Sequence, residues 1–167
     1  MWRWKLAIGA VLVRVMTGSA AEAAVLLGFV DSGARLAVAR ATAGAVRRFA
    51  GPTCQLLLTD FSDGSGRALA TTVTSAERDP AAYFASLRLI DDSGAPQCRN
   101  GATLAFTSPG AHVIHVCGPR FRDRFLRDPA AVEIIVIHEL LHVLGLGENP
   151  PTSQAITAQV WARCGVE

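Results

Sequence analysis

His138 and His142 stand four residues apart with Glu139 directly after the first, in the run His138-Glu139-Leu140-Leu141-His142. On a helix, residues four apart lie one above the other on the same face, so both imidazoles can be directed at one ion. Glu139 cannot easily reach that ion, but it can reach a water bound to it. The H-E-x-x-H spacing is the one by which a single helix holds a catalytic zinc and supplies its own base. The chemistry it allows is hydrolysis. Zinc draws the pKa of water from about 16 towards about 7, and a carboxylate takes the proton during attack on a carbonyl.

A helix must present these groups, and the sequence provides one. Asp128-Pro129 is a start signal, an N-cap followed by proline at the first helical position. Val132, Ile135, Val136, Leu140, Val143 and Leu144 follow at helical spacing, and Gly145 is a stop. Two histidines and a glutamate in so apolar a helix would be costly to bury without a metal or a partner. Upstream, Asp31 or Ser32 caps a helix over 34–50, with Leu36, Ala39, Ala43, Val46 and Phe49 as its apolar stripe and Gly51-Pro52 as its end. Residues 54–61 read as a buried strand, 63–66 as a turn and 67–74 as a second strand. Asp79-Pro80 opens a short helix to about Leu87, and 88–90 is a brief extended piece. Residues 103–107 and 112–117 read as a hairpin around Ser108-Pro109-Gly110-Ala111, and Thr152 or Ser153 caps a last helix to about Cys164. Helices and strands mixed in this order argue for a single α+β domain: a mixed sheet, an active-site helix and a C-terminal helix.

The residues after the motif carry a family resemblance. The stretch from His138 to Glu148, H-E-L-L-H-V-L-G-L-G-E, resembles the extended zinc motif of the metzincin metallopeptidases, H-E-x-x-H-x-x-G-x-x-H. Gly145 falls on the family's glycine, where the chain turns sharply out of the helix. Glu148 falls on the position of the third histidine, and a carboxylate oxygen is an ordinary zinc ligand. Of the carboxylates after the motif, only the terminal Glu167 competes with it. The family's methionine turn has no counterpart, since Met1 and Met16 are the only methionines. The resemblance implies a zincin-like domain over 24–167, with zinc held by His138, His142 and Glu148 and with Glu139 as general base. It implies a peptide or protein substrate, and a strand at 103–107 that forms the sheet edge beside the cleft. A non-catalytic exported domain that keeps zinc as a structural or binding element is the competing expectation.

The compartment is read from the N-terminus. A basic start, Met1-Trp2-Arg3-Trp4-Lys5, precedes the apolar run 6–13, and Ala21-Glu22-Ala23 has the form that signal peptidase accepts. The expectation is a signal peptide over 1–23 and a secreted or periplasmic chain. The competing expectation is an uncleaved anchor, since apolar residues resume at 23–30. No run reaches about 18 uncharged apolar residues, so no stable membrane association is expected after cleavage. The net charge of +2 resides in that segment, and the remainder is close to neutral, which argues against a nucleic-acid partner. A monomer is expected. Beyond residue 23 every basic side chain other than histidine is arginine. Arg120, Arg122, Arg124 and Arg127 read as a solvated face, with substrate binding as the other role open to them. Cys54, Cys98, Cys117 and Cys164 suggest two disulfides in an exported protein, with three connectivities open. His112 and His115, three apart on a strand, point to opposite faces, and one of them could face the cleft. Tyr83 is assigned to the core.

Overall fold

The computed structural model describes residues 25–75 and 79–165, so the signal segment expected over 1–23 and the terminal Glu167 lie outside the described residues. The fold is α+β, eight α-helices, one 3-10 turn and a four-stranded mixed sheet among the described residues. The strands are β1 (Val25–Leu27), β2 (Arg88–Asp91), β3 (Ala105–Phe106) and β4 (Val113–Val116), in the order β1-β2-β4-β3. β1 and β2 pair in parallel, with Leu26 opposite Leu89, and β2 and β4 do the same, with Leu89 opposite Ile114. β3 closes the hairpin antiparallel to β4, with Phe106 opposite His115, and so lies at one edge.

Helix α1 (Ser32–Phe49) begins at Asp31, whose carboxylate accepts from the amides of Gly33 and Ala34 at 2.8 and 3.2 Å. Of the expected stripe only its C-terminal part turns inward, Phe49 fully and Val46 in part. Leu36, Ala39 and Ala43 face outward, while Ala34, Ala37, Val38, Ala41 and Ala45 go inside. The reason is close approach. A Cβ on Gly44 would lie 2.1 Å from Glu133 Oε1, so only a ridge of alanine and glycine lets α1 seat this closely against the helix that carries Glu133. Beside it Arg48 donates to Glu133 at 2.6 Å and to the Cys164 carbonyl at 3.0 Å, which ties three helices at one point.

The expected strands over 54–61 and 67–74 are mostly helical, at 54–55, 57–60 and 70–74, and only an isolated bridge between Ser62 and Ala68 is extended pairing. Helices α2 (Pro52–Gln55) and α3 (Leu57–Asp60) bury Cys54, Leu57 and Leu58 at helical spacing and leave Leu56 44% exposed, where a strand would alternate. Pro52 at the first helical position suits that start. Helix α4 (Ala70–Ser75) packs through Leu69 and Val73, four apart, while its β-branched threonines stay out of the core. Strand propensity there is overridden by packing. Helix α5 (Pro80–Ala85) begins at Asp79 as expected, and α6 (Gly118–Arg127) carries the arginine cluster.

Helices α7 (Pro129–Val143) and α8 (Ser153–Cys164) complete the chain. Asp128 caps α7 by accepting from the Ala131 amide at 3.0 Å, and every side chain from Val136 to Val143 is buried. An all-round buried helix is a central one. α7 touches α1, α6, α8, β3 and β4. Thr152 caps α8, which is held to α3 by Arg163 and Gln159 on the Asp60 carboxylate at 2.7 and 2.9 Å.

The cysteines form two disulfides, Cys54–Cys164 and Cys98–Cys117, one of the three connectivities left open by sequence. The first joins α2 to the end of α8 across 110 residues, the second closes 19. Intact protein should weigh four hydrogens less than its reduced form. Loop entropy assigns about 4–5 kcal/mol to the longer loop and about 3 to the shorter, so Cys54→Ser/Cys164→Ser should lower denaturant stability more than Cys98→Ser/Cys117→Ser. Four free thiols by mass spectrometry would overturn both pairings. Among the described residues, no helix is long and apolar enough to cross a membrane.

Candidate metal centre

α7 delivers both histidines to one point. His138 Nε2 and His142 Nε2 lie 3.0 Å apart, and Glu148 Oε1 stands 3.8 and 3.4 Å from them. Corners of a tetrahedron around an ion with bonds of about 2.0–2.1 Å are about 3.3 Å apart, so these three atoms have the spacing of a metal's ligand set. No other group of three or more ligating side chains occurs among the described residues.

The second nitrogen of each ring is already engaged. His142 Nδ1 lies 2.7 Å from the Leu146 carbonyl, which can only accept, so that nitrogen carries the proton and Nε2 keeps its lone pair. His138 Nδ1 is 2.9 Å from the Thr157 hydroxyl on α8. Burial, reinforced by His142 and opposed by Glu148, pulls the His138 pKa down to about 4, which keeps the imidazole neutral near pH 7. With a lone pair on His142 Nε2, the 3.0 Å approach of His138 Nε2 is favourable only with a proton or a cation between the two nitrogens. Ring nitrogens fixed from behind in this way are the usual support of imidazole ligands.

The turn after α7 builds the rest. Gly145 has φ +108, a conformation that favours glycine, and a Cβ there would come 3.1 Å from Asp63 Cβ. Its amide donates to the His142 carbonyl at 2.8 Å, and the Leu146 amide donates to the Leu141 carbonyl at 3.0 Å. This is the paired closure that ends a helix on a left-handed residue. It swings the Leu146 carbonyl back beneath His142 and carries Glu148 to the open side of the cleft. Gly110 in the β3–β4 loop also donates to the His142 carbonyl, at 2.9 Å, which pins the hairpin to the helix end.

Glu139 is buried in the same cavity, of about 420 Å³, which Thr103, Ala105, Phe106, Thr107 and Pro109 line from the β3 side. Its carboxyl accepts from the Thr107 backbone amide. Desolvation, with the nearby Glu148 charge adding to it, pushes its pKa up to about 8. A cation among the three ligand atoms acts the other way and favours the carboxylate.

These shifts give the metal-free protein a testable pH dependence. Glu139 has a raised folded pKa, so its contribution to stability is full below 4.5 and is lost as pH rises through about 8. His138 has a depressed one, so its contribution is full above 6.5 and is lost as pH falls through about 4. Of the two, only Glu139 bears on the window from pH 6.5 to 8. Chelator-treated protein is therefore expected to lose up to about 1.4 kcal/mol of stability per pH unit there. Thermal unfolding in EDTA at the two pH values reads this out. Glu139→Gln should flatten the slope, and a Tm that climbs across the window would contradict the assignment.

The remaining sequence candidates lie elsewhere. Neither His112 nor His115 lines the cavity. His112 Nδ1 meets the hydroxyl of buried Tyr83 at 3.2 Å, and His115 stacks on Phe106 with Nδ1 3.0 Å from an Asp92 carboxylate oxygen. Thr157, the Leu146 carbonyl and the Thr107 amide escaped the sequence reading. Thr157 stands 19 residues beyond His138 on another helix, and no local spacing links the two.

The arginine cluster divides. Arg122 turns to Asp31 and Asp123, whereas Arg120, Arg124 and Arg127 line a second hollow beside the first. No protein-family model, curated protein or solved structure matches the chain.

Proposed function

We propose that this chain is a small exported zinc metallopeptidase, zincin-like in its active-site helix and metzincin-like in its extended motif. The observation that carries the reading is Glu139, a buried carboxylate in one cavity with three converging ligand atoms. A purely structural metal site has no use for such a group. Two imidazoles and one carboxylate suit zinc, whereas calcium and magnesium prefer oxygen ligands alone. When bound, zinc would acidify a water in its fourth position and polarise the substrate carbonyl.

The chain's own residues supply the remainder. The Thr157 hydroxyl and the Leu146 carbonyl fix the ring orientations of His138 and His142. Glu139, oriented by the Thr107 amide, takes the proton from the attacking water and passes it to the leaving amine. The open edge of β3 offers backbone donors and acceptors along which an extended peptide can lie. Two disulfides suit the oxidising compartment that an export signal implies, secreted or periplasmic.

The lining of the cavity favours one competing reading, a binding domain that holds zinc without turnover. Apart from the two histidines, no basic side chain and no tyrosine lines it to stabilise an oxyanion. Zinc-loaded protein incubated with a mixed peptide library separates the two. Cleavage is expected, abolished by a chelator and restored by added zinc. No cleavage at full zinc occupancy would leave the binding domain.

A further inference from the structure

The hollow beside the metal cavity measures about 390 Å³ and presents Arg120, Arg124 and Arg127 with no acidic side chain in its lining. Arg124 pairs with Asp128 at 2.9 Å. Arg120 spends one nitrogen on the Thr103 carbonyl at 2.9 Å and has no carboxylate partner, and Arg127 has no ion pair, among the described residues. Leu104 and the half-exposed Trp161 supply an apolar wall. The hollow adjoins the metal cavity at two points. Thr157 lines it while contacting His138, and Leu104 directly precedes Ala105, which lines the metal cavity.

We propose that this arginine groove is the subsite for a carboxylate on the C-terminal side of the cleaved bond, so that the substrates are acidic peptides. The inference rests on the peptidase reading. A peptide along the outer edge of β3 gains more per residue by running antiparallel to it. The groove adjoins the N-terminal end of β3, so the C-terminal part of an antiparallel peptide enters it. Planar guanidiniums with unused donors recognise a carboxylate through paired hydrogen bonds. The carboxylate can belong to an Asp or Glu side chain or to the peptide's own end.

The test uses zinc-loaded full chain and a proteome-derived peptide library, with cleavage sites read by mass spectrometry. Asp and Glu should be enriched among the first residues after the cut. A matched peptide with Glu there should exceed its Gln counterpart about tenfold or more in kcat/KM, and added salt should shrink that ratio. Arg124→Gln/Arg127→Gln should collapse the ratio, and Arg127→Gln alone, on an exposed side chain, should lower it without risk to the α7 cap. If the preference follows a free chain end and vanishes on amidation, the carboxylate is terminal; if it follows Glu, it is a side chain. Cleavage indifferent to acid would overturn the groove and leave the peptidase standing.

A second measurement covers the case in which nothing is cleaved. Zinc-loaded Glu139→Gln protein is titrated with fluorescent alternating Ala-Glu and Ala-Gln decapeptides. Tighter binding of the acidic one, lost in the arginine variants, would keep the groove while the peptidase reading fell. Equal binding would overturn the groove.

Discussion

Glu139→Gln is expected to retain zinc and to slow peptide hydrolysis by a hundredfold or more. The substitution preserves size and leaves an amide oxygen to accept from the Thr107 backbone, so the buried pocket keeps its packing. It removes the one group in the cavity able to take a proton from water without being a ligand. The direct cost to the metal should be small, because Glu139 is not among the three atoms that converge on it. Metal analysis and kcat/KM must be measured on the same preparation. Undiminished cleavage would overturn the mechanism, and a loss of zinc equal to the loss of rate would make Glu139 a ligand or a structural support. The same variant serves the pH experiment, where it removes a buried acid whose ionisation destabilises the metal-free fold.

How much of this was legible beforehand depended on whether the signal was local. The bounds of α7 were written in Asp128-Pro129 and Gly145, and the hairpin in Ser108-Pro109-Gly110-Ala111, because caps and turns act over a few residues. The position of Glu148 came from the family resemblance and from the scarcity of carboxylates after the motif. The fold brings it to its place through the left-handed Gly145 and the closure on Leu141. Non-local effects misled. In α1 Leu36 marked the wrong face, since close contact with Glu133 at Gly44 favours small side chains there, and of the expected stripe only Phe49 is fully buried. The stretches 54–61 and 67–74 are apolar or β-branched enough to pass for strands. Their true period appears only when the core takes Cys54, Leu57 and Leu58, then Leu69 and Val73. Likewise, nothing near Arg120 or Arg127 in sequence reveals that they line a hollow beside the metal cavity. That depends on α6 packing against α7 and on α8 closing the other side.

His142→Ala is expected to abolish tight metal binding, and Glu148→Ala to weaken it while leaving a measurable affinity. The difference follows from preorganisation. His142 is buried, its ring direction is fixed by the Leu146 carbonyl at 2.7 Å, and its removal takes away both a ligand and a packed side chain. Glu148 sits on the turn with its side chain 40% exposed, so part of its gain on binding is offset by the freedom it gives up. Water can replace a lost carboxylate in the shell more readily than it can fill the place of a buried ring. Thr157→Val should fall below both in effect, at about 10–100-fold in affinity, since it loosens the orientation of His138 and leaves all three ligands present. Competition titration against a chromophoric zinc chelator ranks the three variants on one scale. Full affinity in Glu148→Ala would take Glu148 out of the site and leave a two-histidine pair, too few donors for a closed shell. Full affinity in His142→Ala would mean that the helix, for all its spacing, does not hold the metal.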